Sequence, residues 1–374
     1  MGLKQEMRIL VTGARGFIGK NLVVRLSELA GMSVLHFVRG DSFEDLAALV
    51  VQADAIVHLA GENRPADVAE FTRVNIELTR ALCQAIRKSG RNIPLILASS
   101  TQAEGDNPYG QSKRAAEQVV EAFANETGNS AVIYRLPGVF GKWCRPNYNS
   151  VVATYCHNIA RDLPIQINDA TTNLRLVYVD DVVEAFLRTL SAGKPGLARG
   201  EVESEYSITL GELADQINSF KNFRTSLVAE RVGAGLPRAL YSTYVSYFPP
   251  DQFVYDLPQY GDERGVFVEM LKTPDCGQFS FFTVHPGVTR GSHYHHSKTE
   301  KFLVVKGVAR MRFRQLVTGE TYGVTVASNK PQVVDTIPGW VHDITNIGDS
   351  DAVIMLWANE VFDHQRPDSI PCDV

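Results

Sequence analysis

Two textures of hydrophobic and polar positions divide the chain. In the first half, short apolar runs alternate with stretches whose apolar residues recur at helical spacing. Met7 to Thr12 (MRILVT) reads as a strand, and IGKNLVVRLSELA, after a glycine-rich turn, reads as a helix. MSVLHFVRG, DAIVHLAG (Asp54 to Gly61) and PLILASS (Pro94 to Ser100) are further strands with helical patterns between them. Strands that alternate with helices predict a Rossmann-type α/β fold with a doubly wound parallel sheet. After Ala192 the pattern loosens through GKPGLARGEVESE, resumes as a helix near ITLGELADQINSF, and breaks at Pro249-Pro250, where a domain boundary is expected. From Phe253 onward the apolar positions alternate in short runs cut by glycine and proline, as in GQFSFFTV, FLVVKGVARMRFR and AVIMLWANEVF. That texture predicts an all-β barrel or sandwich of about 120 residues. The expected domains are residues 7–248 and 251–374.

Length agrees with a division, because 374 residues exceed what a single hydrophobic core ordinarily serves. The net charge is 37 − 42 = −5, with no basic run, so the electrostatic footprint of a nucleic-acid partner is missing. No stretch approaches the roughly 18 apolar residues of a membrane span, and the N-terminus lacks a signal-peptide core. A cytoplasmic protein is expected. Its five cysteines are scattered and form no CxxC, which suggests core packing rather than disulfides or a thiolate metal site.

Chemistry enters at the first turn. In GARGFIG the glycines Gly13, Gly16 and Gly19 let the backbone approach a pyrophosphate, with Arg15, Phe17 and Ile18 beside it and a helix N-terminus behind it. The second strand ends at Arg39, where an acidic residue would read an unphosphorylated ribose; an arginine there predicts NADP(H) over NAD(H), with Asp41 nearby as the competing signal. Leu59, Ala60 and Gly61 at the end of the third strand, and Ser99, Ser100 and Thr101 at the end of the fourth, fall at the ligand edge of such a sheet. Tyr109 and Lys113 are four apart and share a helix face. A lysine there lowers the tyrosine's pKa, and a hydroxyl from Ser100 or Thr101 holds a substrate oxygen, which together make a proton donor for a carbonyl that receives hydride.

With TGARGFIG, HLAG, SST, YGQSK, RLPGVFG and LVYVDDVVEA in order, residues 7–190 resemble the extended branch of the short-chain dehydrogenase/reductase family, which acts on nucleotide sugars. The resemblance implies that Tyr109 is the catalytic acid/base, that Lys113 also binds the nicotinamide ribose, and that Asn75 lies near the cofactor. It implies that Pro137, Gly138 and Val139 line the nicotinamide pocket and that Arg175 contacts the nucleotide diphosphate. Asp180 and Asp181 read as a helix cap. Arg145 and Asn147, in the aromatic and basic segment KWCRPNYNSVVATYCH, are placed as substrate-binding residues by their position after GVFG. Cys156 and His157 are sequence neighbours on a helix and so point apart, which argues against a nucleophile pair.

In the second half, His293 and His295 alternate on a strand, with Glu300 in the next and His342 in a distant one, a set able to form a three-nitrogen, one-oxygen metal site. His293, His295, His296 and His342 are four of the nine histidines in the chain. The run Gly287, HxH, Glu300, Gly307 and the later PGWVHDITN resemble the two motifs of the cupin family, departing only in that Pro338 directly precedes Gly339. By that resemblance His293, His295, Glu300 and His342 bind a divalent metal, Zn²⁺, Ni²⁺, Fe²⁺ or Mn²⁺, with Zn²⁺ or a loosely selective site favoured. The base that would move a proton is left between His295 and His296. Taken whole, the chain resembles CapF-type bifunctional enzymes of bacterial capsule and O-antigen synthesis, an extended short-chain dehydrogenase/reductase fused to a cupin. This implies a homodimer whose cupin epimerises C3 of a UDP-2-acetamido-2,6-dideoxy-4-hexulose. The reductase would then use NADPH to give UDP-N-acetyl-6-deoxy-L-talosamine, toward UDP-N-acetyl-L-fucosamine. The alternative is a reductase whose cupin serves only dimerisation or sugar binding.

Overall fold

The structure is a computed structural model that describes residues 6–193, 195–249, 252, 257–275, 277–295, 298, 300–316, 319–336, 340–358, 360–365 and 367–374. Pro250, Phe253, His296, Pro338 and Gly339, all named above, and Cys276, one of the five cysteines, lie outside the described residues. The chain divides into two compact units, Met1–Ile217 with Ala239–Phe248, and Asn218–Arg238 with Pro249–Val374.

Unit 1 begins with β1 (Met7–Thr12), α1 (Phe17–Ser27), β2 (Met32–Phe37), α2 (Phe43–Gln52) and β3 (Ala55–His58). A π-helical segment, Phe71–Glu77, leads into α3 (Leu78–Ser89), β4 (Leu95–Ser100), α4 (Pro108–Thr127) and β5 (Ala131–Leu136). The remainder is β6 (Gly138–Phe140), α5 (Val151–Ile159), β7 (Asn173–Tyr178), α6 (Val179–Ala192), β8 (Leu197–Gly200), β9 (Glu205–Thr209), α7 (Leu210–Ser226) and α8 (Gly235–Val245), the last two divided between the units. Six parallel strands lie in the order β2-β1-β3-β4-β5-β8, and β6-β7-β9 form a small second sheet. Successive β1 side chains point to opposite faces, so Ile9 and Val11 join one buried cluster with α1 and α6, while Leu10 joins another with α2 and α3. The strand order reverses between β1 and β3, which opens a crevice at their carboxyl ends.

The first turn works by close approach. A Cβ on Gly19 would stand 2.2 Å from the Gly13 carbonyl oxygen, a backbone atom that cannot step aside. Gly19→Ala is therefore expected to cost about 1–3 kcal/mol through overpacking, read as a lower midpoint in denaturant unfolding. An unchanged midpoint would contradict this packing.

Unit 2 holds β10 (Gln259–Asp262), β11 (Gly265–Thr273), β12 (Gly277–Val284), β13 (Thr289–Tyr294), β14 (Glu300–Lys306) and β15 (Val308–Gln315). They are followed by β16 (Thr321–Ala327), β17 (Val333–Thr336), β18 (Trp340–Asn346), β19 (Ala352–Ala358) and β20 (Ile370–Pro371). Two sheets, β10-β11-β12-β19-β14-β17 and β16-β15-β18-β13-β20, are antiparallel throughout their described pairings. Inward residues of both, among them Val284, Val304 and Ile354 from one and Met311, Phe313 and Ile344 from the other, form one apolar core. Among the described residues no helix is long and apolar enough to cross a membrane, and Cys83, Cys144, Cys156 and Cys372 are free thiols.

Candidate functional site

At the switch point of unit 1 lies a cavity of about 670 Å³. The first turn lines it with Gly13, Arg15, Gly16, Phe17, Ile18 and Gly19; the later strand ends add Arg39, Leu59, Gly61, Ser100 and Thr101. Tyr109, Lys113, Pro137, Gly138, Val139, Arg145 and Arg175 complete the predicted residues on its wall, and Ala60 lines an adjoining cavity of about 770 Å³. Two predicted residues lie elsewhere. Asn147 is not on the wall: it takes a left-handed φ of 53° and its amide donates to Thr154 Oγ1 at 3.0 Å, fixing the loop. Asn75 is buried behind the wall, where its side chain holds Glu62 N at 2.8 Å, Glu62 O at 3.0 Å and Ser112 Oγ at 2.9 Å. It supports the segment after β3 rather than facing the cavity.

Asn107 caps α4 by accepting from Gly110 N at 2.8 Å, and Pro108 opens its first turn, so the helix begins just before Tyr109. Lys113 is buried, its Nζ donating to the Ala98 carbonyl at 3.0 Å and standing 6.0 Å from the Tyr109 ring centre. Burial pushes the ammonium down to about 8, against the pull of Glu117 one turn further along. Tyr109 corrects the expected direction: burial raises its phenol above the ordinary value, and the opposing influence is a hydrogen bond with Ser100 rather than Lys113. That contact puts Ser100 beside Tyr109, whereas Thr101 opens a 3₁₀ turn for which the Ser100 hydroxyl accepts from Gln102 N.

Glu117 had no signal in the sequence beyond its position one helical turn after Lys113. It is buried and accepts from Ser99 at 2.5 Å, from Arg135 at 2.7 Å and from Arg199 at 3.1 Å. His58, at the end of β3, is fully engaged: Nδ1 meets Thr12 Oγ1 at 2.6 Å and Nε2 meets Thr79 Oγ1 at 2.9 Å. Burial takes its pKa to about 3, so it is a neutral structural imidazole. Arg175 pairs with Glu205 at 2.5 Å, Arg145 stacks on Tyr148 at 5.0 Å, and Asp180 pairs with Lys142 at 2.5 Å instead of capping its helix. Cys156 is buried with its thiol pushed up by desolvation, while Cys144 departs from the core-packing expectation and lines the cavity. Trp143, at a left-handed φ of 67° and 47% exposed, also lines it, a position that sequence reasoning missed.

Unit 2 contains a smaller cavity of about 240 Å³ lined by Arg264, Arg290, His293, Glu300 and His342. A bulge in β13 builds its floor. Gly291 (φ 95°) and Ser292 (φ 59°) are both left-handed, and they shift the register so that His293 pairs directly opposite His342. A Cβ on Gly291 would meet the His342 carbonyl at 3.1 Å. The three imidazole rings of His293, His295 and His342 are 4.6–5.2 Å apart centre to centre, and their ligand atoms with that of Glu300 lie within 4.8 Å of one another.

Three neutral-capable imidazoles and a carboxylate are a donor set for a first-row divalent cation. The burial fits such an ion, because His293 Nε2 and His342 Nε2 are buried without a hydrogen-bond partner. Burial and the neighbouring His342 hold His293 down to about 4, so it is neutral. Burial alone would raise the Glu300 carboxyl, but His295, His342 and the Lys298 ammonium carry it well below the carboxylate range. Lys298, unmarked by any motif, is itself buried and donates to Glu300 Oε1 at 2.8 Å, leaving Oε2 toward the histidines. His295 donates from Nδ1 to the Asp368 carbonyl and meets Glu300 through Nε2 at 3.2 Å; it does not line the cavity.

A dinucleotide crevice with Tyr109, Lys113 and Ser100 on one wall defines unit 1 as a fold of the short-chain dehydrogenase/reductase class, joined in this chain to an antiparallel unit with a His₃Glu cluster. Residues 9–202 match the NAD dependent epimerase/dehydratase family, and residues 260–370 match the Polysaccharide biosynthesis C-terminal domain. A UDP-2-acetamido-2,6-beta-L-arabino-hexul-4-ose reductase of Pseudomonas aeruginosa is 55% identical over 98% of this chain and 99% of its own length. The crystal structure of the capsular polysaccharide assembling protein CapF from Staphylococcus aureus superimposes with a TM-score of 0.91 at 42% identity, covering 98% of this chain and all of CapF. CapF with the inhibitor 3-isopropenyl-tropolone gives 0.85 at 38% identity over the same shares. The chain belongs to the NAD dependent epimerase/dehydratase family and has the two-part arrangement of CapF.

Proposed function

We propose that the chain carries out two consecutive steps on one UDP-linked 2-acetamido-2,6-dideoxy-4-hexulose: epimerisation at C3 in unit 2, then reduction of the C4 ketone by NADPH in unit 1. The product of this reading is UDP-N-acetyl-6-deoxy-L-talosamine. The observation that carries it is Tyr109, Ser100 and Lys113 on one cavity wall, in a chain 55% identical to a 4-hexulose reductase along nearly its whole length.

The cavity of unit 1, lined by Gly13, Gly16 and Pro137, would hold a reduced nicotinamide cofactor, which when bound would supply a hydride for C4. The Tyr109 hydroxyl then gives its proton to the ketone oxygen, so that a C–H and an O–H bond replace the carbonyl π bond. Ser100, beside Tyr109, orients that oxygen, and the Lys113 ammonium stabilises the phenolate that remains. Asn75 and Glu117 act behind the wall, the first on the segment 61–62 and the second on the lysine's charge. Arg145 and Arg175 are the groups available to the diphosphate, and Arg39 to a 2′-phosphate.

In unit 2 the order of steps follows from carbon acidity: a proton on C3 is labile only while C4 is a carbonyl. His293, His295, Glu300 and His342 would hold a divalent metal, Zn²⁺ in our reading, which supplies positive charge for the enolate oxygen. Arg264 and Arg290 place further positive charge at the same cavity. His295 is engaged at both nitrogens and is poorly placed to move a proton.

A test follows from the lysine. Its folded pKa of about 8 lies below the ordinary 10.5, so the charge that supports Tyr109 is present below pH 8 and lost above it. Reductase kcat/KM is expected to fall on the alkaline side near pH 8. In Lys113→Arg, less active but permanently charged, that limb should disappear. An identical limb in both proteins would remove Lys113 from this role.

A further inference from the structure

One carboxylate joins the two ends of the unit 1 cavity. Glu62 is fixed through its backbone by buried Asn75, and its side chain is only 12% exposed. Its Oε2 accepts from the Arg39 guanidinium at 2.5 Å, and its Oε1 accepts from the Tyr148 phenol at 3.3 Å. Arg39 is 87% exposed and can turn toward solvent or ligand at little cost. Tyr148 belongs to the loop after β6. Its ring carries the Arg145 guanidinium at 5.0 Å, and its carbonyl accepts from Arg64 at 2.6 Å. Burial and the Glu62 charge raise the Tyr148 phenol, which keeps it a hydrogen-bond donor.

We infer that Glu62 is a positioning residue that couples occupancy of the cofactor's 2′-phosphate site to the loop that receives the nucleotide sugar. The inference rests on the proposed NADPH-dependent reduction. A phosphate competes with a carboxylate for a guanidinium, so Arg39 must leave Glu62 to read it. Glu62 stays at the wall, because Asn75 holds its backbone and its side chain is packed there, only 12% exposed. Its remaining partners are the Tyr148 phenol and the Asn63 amide, at 3.3 Å each. The uncompensated carboxylate then binds the phenol more firmly and attracts Arg145, whose guanidinium lies on that ring. The loop is thereby set for an anionic substrate after the cofactor has arrived. By linkage, substrate must favour cofactor to the same degree.

Two effects of opposite sign distinguish this from plain support. Glu62 competes with the 2′-phosphate, so its removal tightens cofactor binding; it also carries the coupling, so its removal abolishes that. A residue that only braced the loop would not tighten NADPH.

The experiment is a titration of NADPH fluorescence in the full chain, with and without saturating UDP, for the unaltered protein, Glu62→Gln and Tyr148→Phe. In the unaltered protein UDP should tighten NADPH by about two- to five-fold, the range of an exposed ion pair, and leave NADH unaffected. Glu62→Gln should bind NADPH about two- to five-fold more tightly without UDP and show no further response to UDP. Tyr148→Phe should keep the unaltered NADPH affinity and lose the UDP response. Unchanged or weakened NADPH binding in Glu62→Gln would overturn the coupling. Equal affinity for NADPH and NADH in the unaltered protein would instead overturn the cofactor assignment beneath it.

Discussion

Tyr109→Phe is expected to lower kcat/KM for NADPH-dependent reduction of the 4-keto sugar by about 10²–10⁴-fold, the contribution of a positioned general acid. The change removes one oxygen and preserves the ring that packs 6.0 Å from Phe71, so the unfolding midpoint and NADPH affinity should stay close to those of the unaltered protein. The loss should fall on kcat, because the proton moves only as the C4–H bond forms. Ser100 and the Lys113 ammonium remain in the variant, but the phenol that hands its proton to the ketone oxygen is gone. Steady-state NADPH oxidation checks this, and a variant retaining more than a tenth of the activity would assign the proton to another group.

The second large effect belongs to unit 2. His293→Gln and His342→Gln should leave the chain without stoichiometric divalent metal by elemental analysis, and without proton exchange at C3. Removing a ligand should exceed the roughly 10–100-fold affinity loss caused by removing an outer partner. Both side chains end in a buried Nε2 with no hydrogen-bond partner, so each variant removes a candidate ligand atom at small cost to the fold; His342→Gln also gives up a long 3.4 Å contact to the Trp340 carbonyl. Glu300 is a poorer target, because its loss would leave buried Lys298 without its counter-charge and confuse folding with binding. Reduction of sugar already epimerised at C3 should proceed in both histidine variants. Full metal content in either would dismiss the cluster as the site.

The two-part fold and most of the cavity wall were legible because they rest on local pattern. Glycines at Gly13, Gly16 and Gly19, the alternating apolar runs, the four-residue spacing of Tyr109 and Lys113, and the HxH with Glu300 are all carried by near neighbours. What escaped depends on burial and on distant partners. Whether the Tyr109 phenol rises or falls is decided by desolvation, which spacing does not express. Glu117 and Glu62 are single charged residues whose meaning comes from Arg135 and Arg39 elsewhere in the fold, and Lys298 gains its meaning from being buried against Glu300. At Asn147 a left-handed backbone in a loop turns the main-chain N–H toward Thr154, which sequence position does not express. The bulge at Gly291 and Ser292, which sets His293 against His342, has no periodicity to announce it.

The central claim is that one chain performs a proton step and a hydride step on the same sugar. Full-length Tyr109→Phe incubated with the 4-keto sugar in D₂O, followed by NMR, isolates the first step from the second. Deuterium is expected at C3 with the C4 ketone intact, and no deuterium when His342→Gln is added to the same chain. A C3 proton that never exchanges, or one that exchanges equally well without His342, would contradict it.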